Sequence, residues 1–350
     1  MVEKSENMAD LKYLFKRVIN MNYKNMFSKI NSIHKKTQKR RLSIFNDMRH
    51  CAVKYGAGYM DYDLFEMYNL TDDERNTYIT RGRNNDLIKK FNNPEFGYIF
   101  QDKTIFNEKY QKFVKRDFIL VKNAKKEEII NFLEKHPTFM AKPISGTCGK
   151  GILKINTKDY QSLDELYNFL IEKEHDFELE EIIIQHEKLN KIYAKAINTV
   201  RIVTILDDNS IPHVICAYFR IGNGSFVDNF NSGGMVAPVD EKRGIVLDKA
   251  IDKNKNLYDI HPLTKAKIKG FKFPDWDIAL KMVKEASTIT KEVRYVGWDV
   301  AFTPDGPIFV EGNDYPGHDI YQLPEHTPSK IGIWPKFSKA LNDIEDKKSK

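Results

Sequence analysis

The stretch V-G-W-D-V-A-F-T-P-D-G-P-I-F-V-E-G-N-D-Y-P, residues 296–316, decides how the rest of the chain is read. Two apolar runs flank T-P-D-G-P, and Pro with Asp-Gly is strong turn chemistry, so the stretch predicts a β-hairpin. With the turn centred on Asp305, Val300 faces Val310, Phe302 faces Ile308 and Asp299 faces Glu311. Side chains alternate between strand faces, which puts Asn313 beside Asp299 and Glu311. Trp298, Val300, Phe302, Ile308 and Val310 then form an apolar face. Carboxylates directly opposed on neighbouring strands lie about 4.5–5.5 Å apart and repel. Either they diverge into solvent or something compensates them. Hard oxygen ligands on rigid strands are what Mg²⁺ or Mn²⁺ requires. The hairpin alone leaves both readings open.

A chain of 350 residues is long enough for a large core or for two to three subdomains. Cys51, Cys148 and Cys216 are odd in number and widely spaced, which predicts reduced thiols in a cytoplasmic setting and no cysteine metal site. No apolar run approaches the roughly 20 residues of a membrane span, and the first residues lack the apolar core of a signal peptide. Charge is unevenly placed: residues 1–50 hold twelve Lys or Arg against four Asp or Glu, in a chain of net charge +7. That excess suits an anionic partner, such as the inner face of a membrane or a phosphorylated substrate, and equally a solvated helical face. No nucleic-acid reader motif is present, so nucleic acid is not an expected partner.

Residues 8–50 lack Gly and Pro and space their apolar positions as helices do, until Y-G-A-G-Y at 55–59 breaks the pattern. Residues 61–96 read as further helix and loop. Beyond about 104 the texture alternates: a helix at 105–113, a strand at 118–121, a helix at 125–135 and a strand at 138–142. A Gly-rich loop leads to a strand at 151–155, a helix at 162–173 and a strand at 179–185. Long strands near 198–206 and 212–221, a helix at 276–292 and the hairpin follow. Helices mixed with hairpin-connected strands predict an α+β fold rather than a doubly wound sheet.

The loop in F-M-A-K-P-I-S-G-T-C-G-K-G-I, residues 139–152, joins two strands through Gly146, Gly149 and Gly151. Glycines let backbone N–H groups turn inward around phosphate oxygens, and Lys142 at the strand end adds a point charge for them. Tight turns need glycine as well, and the pattern is neither a Walker loop nor a dinucleotide fingerprint. Cys148 reads as a small loop residue. In A-I-N-T-V-R-I-V-T-I-L, residues 196–206, Arg201 shares a face with Thr199 and Val203, opposite Asn198, Val200 and Ile202. An arginine amid apolar strand residues needs an anionic partner, either a neighbouring carboxylate or a ligand's phosphoryl or carboxylate group.

Taken in order, Lys103, Lys142 with its glycine loop, Arg201, Asp299 and the Glu311-x-Asn313 pair resemble the ATP-grasp superfamily. Q-D-K at 101–103 is similar to its first lysine motif, M-A-K-P at 140–143 to its second, and the strand at 179–185 to its adenine-holding hinge. A narrower resemblance, to the sugar-transfer-associated ATP-grasp group, rests on five further stretches. These are Y-G-A-G…D-Y at 55–62, I-N-T-V-R-I-V-T at 197–204, V-D-N-F-N-S-G-G at 227–234, His261-Pro262 and the closing E-G-N-D-Y-P-G-H-D.

That resemblance implies two α+β subdomains sandwiching ATP, at 101–188 and 189–340, behind a mainly helical N-terminal region at 1–100 and ahead of a charged tail at 341–350. It implies ATP with Mg²⁺ (or Mn²⁺) as cofactors. Asp299, Glu311 and Asn313 become metal ligands, and Lys103, Lys142, Gly146 and Gly149 phosphate contacts. Glu180, Glu181 and Glu187 become adenosine contacts. Arg201, with Lys142, is expected to stabilise the transferring phosphoryl and the tetrahedral oxyanion. Asn198, Asp228, Asn229, Gly233 and Gly234 are expected on the acceptor side, with Gly233-Gly234 equally readable as a tight turn. His318 and Asp319 are expected to orient substrate or to be plain loop. The implied activity is a carboxylate–amine ligase of cell-surface polysaccharide pathways, working on a small or glycan-linked carboxylate and an amine. An ATP-dependent kinase for a sugar hydroxyl and a non-catalytic nucleotide-binding component of a glycan-assembly complex are the alternatives.

Overall fold

β-branched and aromatic runs set apart by turn residues build two antiparallel sheets. The computed structural model describes residues 21–144, 151–172, 176–225 and 228–348, with side chains of the final helix as far as Leu341. The first sheet is made of β1 (Phe118–Leu120), β2 (Thr138–Pro143), β3 (Leu153–Asn156) and β4 (Phe177–Glu181), in the order β1-β4-β2-β3. The second holds β5 (Thr199–Leu206), β6 (Pro212–Ile221), β7 (Met235–Val239), β8 (Ala250–Asp252), β9 (Leu257–Tyr258), β10 (Tyr295–Thr303) and β11 (Gly306–Asn313). Its order is β11-β10-β5-β6-β7-β8-β9. Every strand pairing is antiparallel. Antiparallel sheets with helices packed on them are an α+β arrangement, as the sequence predicts.

The chain forms two compact units. One runs up to Asn84 and takes back Gln322–Gly332. Its core lies under the helices Tyr23–Thr37 and Arg41–Tyr55, where Met26, Ile30 and Ile33 recur at helical spacing and face Ile44, Met48 and Cys51. Gly56 ends the second helix at φ +64°, with Gly82 so close that a Cβ on Gly56 would meet its Cα at 2.9 Å. This is the break expected at Y-G-A-G-Y. The helical segment closes its core by Asn84 rather than near residue 100, because Ile99, Phe100 and Phe106 pack with the seven-stranded sheet instead.

The other unit holds both sheets. In the smaller one, Phe139, Ala141 and Leu179 pack with Ile129 and Leu133 of the helix Lys126–Lys135 and Leu166 of the helix Leu163–Ile171. In the larger one, Val200, Ile202, Trp298, Val300 and Phe302 belong to a core that the helix Trp276–Ala286 closes.

Several elements differ from the sequence reading, each for a local reason. The helix expected at 105–113 is two, Lys103–Lys109 and Gln111–Val114. They part at Tyr110, whose ring packs on Phe106 at 4.8 Å and edge-on to Trp298 at 5.4 Å, while its hydroxyl donates to Thr290. The helix expected to reach 292 stops at Ala286, where the hydroxyls of Ser287 and Thr288 donate to the Val283 and Glu285 carbonyls. The strand expected at 179–185 is shorter and earlier, at Phe177–Glu181. In the hairpin, Asp299 does face Glu311, but the register slips between Asp299 and Val300, so Val300 faces Phe309 and Phe302 faces Pro307. Val310 is the extra residue of a β-bulge. The bulge turns Phe309 rather than Val310 into the core, where it stacks on Trp298 at 4.9 Å.

Candidate active site

Antiparallel register brings four charged residues of the large sheet together. Arg201 on β5 pairs directly with Asp299 on β10, and Asp299 with Glu311 on β11. Arg201 donates through Nε and Nη2 to the two carboxylate oxygens of Asp299, the Nη2 bond being 2.9 Å. Its Nη2 lies 3.9 Å from Glu311 Oε1. Arg220 on β6 donates to Asp299 Oδ2 through Nη1 and lies 3.3 Å from Asp228. Asp228 in turn accepts from the backbone N–H of Thr199 at 3.0 Å and from its hydroxyl. A bidentate guanidinium–carboxylate pair is the strong form of this interaction.

The two facing carboxylates thus meet two arginines. Burial opposes ionisation of Asp299, but Arg201 and Arg220 outweigh it and hold the carboxyl well below the usual range. Both guanidiniums, already penalised by burial, are held in the charged form by Asp299 and Asp228. Glu311 moves the other way: enclosure by the sheet and the Asp299 charge raise its pKa, although its side chain remains 48% exposed. Three carboxylates around two guanidiniums leave one formal negative charge, with Glu311 as the group open to solvent. Asn313 donates to Glu311 Oε1 and to the Gly297 carbonyl, both at 3.5 Å. Two oxygen-bearing side chains on the rigid β11, beside a surplus negative charge, fit a divalent cation at Glu311 and Asn313. Asp299 joins them only by sharing an oxygen that an arginine now holds.

A second charged group lies in the small sheet. Glu178 and Glu180 are two residues apart on β4, so both point to one face, towards Lys142 on β2. Lys142 Nζ is 2.7 Å from Glu180 Oε1, and Arg116 Nε is 2.6 Å from Oε2. Arg116 also donates to the carbonyls of Phe309 and Val310 and to Asn107, whose amide donates to Glu178 at 2.9 Å. Lys103 Nζ donates to the Pro143 carbonyl at 3.1 Å, which brings the two sequence-predicted lysines to the same end of β2. Burial and the neighbouring Glu180 charge push Glu178 up to about 7. Burial would raise Glu180 too, but Arg116 and Lys142 hold it at about 2.

The structure therefore corrects several expected contacts. Glu180 is buried between Lys142 and Arg116, so it positions the lysine and presents no oxygen to an adenosine. Glu181 turns to the opposite face, accepts from the Asp117 N–H at 3.0 Å, and sits with Asp117 and His136, their ligand atoms within 4.8 Å of one another. Asn198 is wholly buried and its amide is taken up by Gln185, Tyr193, Ala196 and Gly222, so it shapes a turn rather than meeting an acceptor. Gly233 and Gly234 form the tight turn: Gly233 has φ +99°, and a Cβ on Gly234 would lie 2.3 Å from the Asp228 carbonyl oxygen. Asn229 caps the same turn by accepting from the Asn231 N–H at 3.0 Å. Together these residues set Asp228 against Arg220. Glu187 is exposed on the first turn of the helix Glu187–Ile192. His318 is buried, and Asp319 is exposed and accepts from the Ile320 N–H. Gly146, Gly149 and Cys148 lie outside the described residues.

Arg220, Arg116 and Glu178 are the charged residues that the sequence reading did not single out. Arg220 gave the same signal as Arg201, an arginine inside an apolar strand run, I-C-A-Y-F-R-I. F-E-L-E-E, around Glu178, reads as a strand with one solvated face, whereas Phe177, Glu178, Leu179 and Glu180 are all buried.

The sequence model of the family described as sugar-transfer associated ATP-grasp matches residues 82–330. A search of the curated proteins finds no match. Among solved structures, the chain is similar to the ATP-grasp ligase PsnB complexed with minimal precursor, Mg and ADP. The identity there is 14% and the TM-score 0.42, over 73% of this chain and 61% of that one. It is similar to N5-carboxyaminoimidazole ribonucleotide synthetase from Thermotoga maritima at 12% identity and TM-score 0.38, over 67% of this chain and 49% of that one. The D-alanine-D-alanine ligase from Coxiella burnetii follows at 9% and 0.39, over 72% and 60%. This chain thus spans less than two thirds of the length of each.

Proposed function

The chain belongs to the sugar-transfer associated ATP-grasp family and has the ATP-grasp fold, and we propose that it is an ATP- and Mg²⁺-dependent carboxylate–amine ligase. The observation that carries this reading is the pair of lysines at one end of β2, tied through Glu180 and Arg116 to the strand that carries Glu311 and Asn313, inside the matched segment. Lys103 and Lys142 bind the phosphates of ATP. Glu311 and Asn313, with Asp299, hold Mg²⁺, which when bound neutralises charge on the phosphates. A substrate carboxylate attacks the γ-phosphate, forming an acylphosphate and releasing ADP. The amine then attacks the acyl carbon, the C–N bond forms as the acyl C–O bond breaks, phosphate leaves with that bond's electron pair, and the proton lost by the amine passes to solvent.

Arg201 keeps its guanidinium beside Asp299 and within reach of Glu311, where it stabilises the transferring phosphoryl and the oxyanion of the addition step. Arg220 locks Asp299 from the other side, so Asp299 stays ionised through the cycle. The acceptor is a sugar acid or amino acid of a cell-surface polysaccharide pathway, the work is done in the cytoplasm, and the basic residues 1–50 bring the protein to an anionic membrane face. The test is turnover of ATP with Mg²⁺ against pooled sugar acids, amino acids and amines. ADP and free phosphate that need both a carboxylate and an amine support the ligase. ADP with a phosphorylated product and no amine requirement makes it a kinase instead.

A further inference from the structure

We propose that Arg116 is a positioning residue that holds the phosphate-side lysine and the metal-side strand in one frame; the inference rests on the function proposed above. Arg116 is 3% exposed and lies just before β1, on neither β2 nor β11. Its guanidinium nevertheless meets both. On one side Nε holds Glu180 Oε2 at 2.6 Å while Lys142 holds Oε1 at 2.7 Å, so one carboxylate is shared between two cations. On the other side Nη1 donates to the Phe309 carbonyl and Nη2 to the Val310 carbonyl at 3.1 Å.

Those two carbonyls belong to the bulge. A regular strand pairs its backbone groups with its neighbours, but the extra residue of a bulge is left outside the ladder. Val310 is that residue, immediately before Glu311. Arg116 therefore supplies a donor to the carbonyl of Val310, which has no partner in the register, and another to Phe309 beside it, at the point that fixes where the Glu311 carboxylate emerges. The planar fork reaches acceptors on two sides at once, which a single ammonium cannot do. Without it, Glu180 faces Lys142 alone and draws the lysine towards itself, away from a phosphate. At the same time the carbonyls ahead of Glu311 lose their donors, so both halves of the site loosen together.

The test follows amide hydrogen exchange of the ligand-free protein and ADP affinity with Mg²⁺ or with EDTA, in the wild type and in Arg116→Lys. Exchange is expected to rise about tenfold in both 177–181 and 306–313 while the helix Trp276–Ala286 is unchanged. The tightening of ADP binding by Mg²⁺ is expected to fall by about fivefold or more, a ratio that a general loss of stability does not move. If Arg116→Lys shows no cooperative melt, Glu180→Gln gives the same reading: it must raise exchange at 306–313, a strand of the other sheet. Exchange that rises in one segment only, or an unchanged Mg²⁺ ratio, overturns the proposal. Coordinated exchange in a protein whose wild type binds no ADP keeps the mechanical link and removes the nucleotide-site reading.

Discussion

The two sheets of the larger unit meet the same electrostatic difficulty and resolve it differently. Each sets two carboxylates close together: Asp299 and Glu311 on neighbouring strands of the large sheet, Glu178 and Glu180 two apart on one strand of the small sheet. The large-sheet pair has an outlet. Two arginines hold Asp299 ionised, and Glu311 stays about half exposed. The small-sheet pair is sealed, with Glu178 and Glu180 no more than 2% exposed. There the compensation is split: Arg116 and Lys142 keep Glu180 charged, and Glu178 is pushed towards the neutral acid. Where a carboxylate can reach solvent, as Glu311 does, the fold leaves charge over for a ligand; where it cannot, the carboxylate either has cations of its own, as Glu180 and Asp299 do, or is pushed towards the neutral acid, as Glu178 is.

The sharpest way to break the comparison is to take away the sealed group's anion. Glu180→Ala takes from the buried Arg116 and Lys142 the one carboxylate they share and is expected to destabilise the protein by about 3–5 kcal/mol in chemical denaturation. A loss under about 1 kcal/mol would mean that water reaches the group. In the open group, Arg220→Met removes a charged contact from Asp299 and Asp228 but leaves Arg201 in place, so about 1.5–3 kcal/mol is expected, with ATP turnover reduced.

Stability against pH separates the two regions by sign. Glu178 has its folded pKa raised to about 7 from 4.5, so its contribution is complete below about 4.5 and is lost as pH rises through about 7. Asp299 has its pKa lowered from 3.8, so its contribution is complete above that value and is lost only as pH falls through its lower folded pKa. Glu178→Gln, which keeps the neutral shape, is expected to flatten the fall between pH 4.5 and 7 by about 1–3 kcal/mol, and to leave the acid limb unchanged. A variant curve parallel to the wild type would place the titration elsewhere. The smallest effect is the control: Lys112→Ala deletes an ion pair with Glu285 whose partners are 70% and 52% exposed, and about 0.5 kcal/mol or less is expected.

How much of this was legible in the sequence follows the same division. The open group was readable in part because its elements are local: the T-P-D-G-P turn located the hairpin and an arginine inside an apolar strand announced Arg201, but the turn pairs Thr303 with Gly306, and only the bulge at Val310 restores Asp299 to Glu311. Arg220 carries the same signal, an arginine inside the apolar run I-C-A-Y-F-R-I. The bulge at Val310 was not legible, since besides Phe309 stacking on Trp298 across the hairpin it answers to Arg116, far away in sequence. The sealed group was nearly invisible. Glu178 looks like the solvated face of an edge strand until β1 and β2 are known to flank it, and Arg116 sits in K-R-D-F with no periodicity to mark it. Asn198 shows the converse, a residue prominent in a motif that shapes a turn, while the Gly233-Gly234 pair takes the tight-turn reading that stood beside the acceptor-side one.

The most direct test of the central claim, that the two charged groups together hold a magnesium nucleotide, is calorimetric titration of a non-hydrolysable ATP analogue into the wild type and Glu311→Gln, with Mg²⁺ and with EDTA. The account predicts that Mg²⁺ tightens binding to the wild type and that Glu311→Gln loses this tightening while retaining the weaker binding in EDTA, to which Lys103 and Lys142 contribute. Binding that ignores Mg²⁺ in the wild type, or no binding at all, would contradict it.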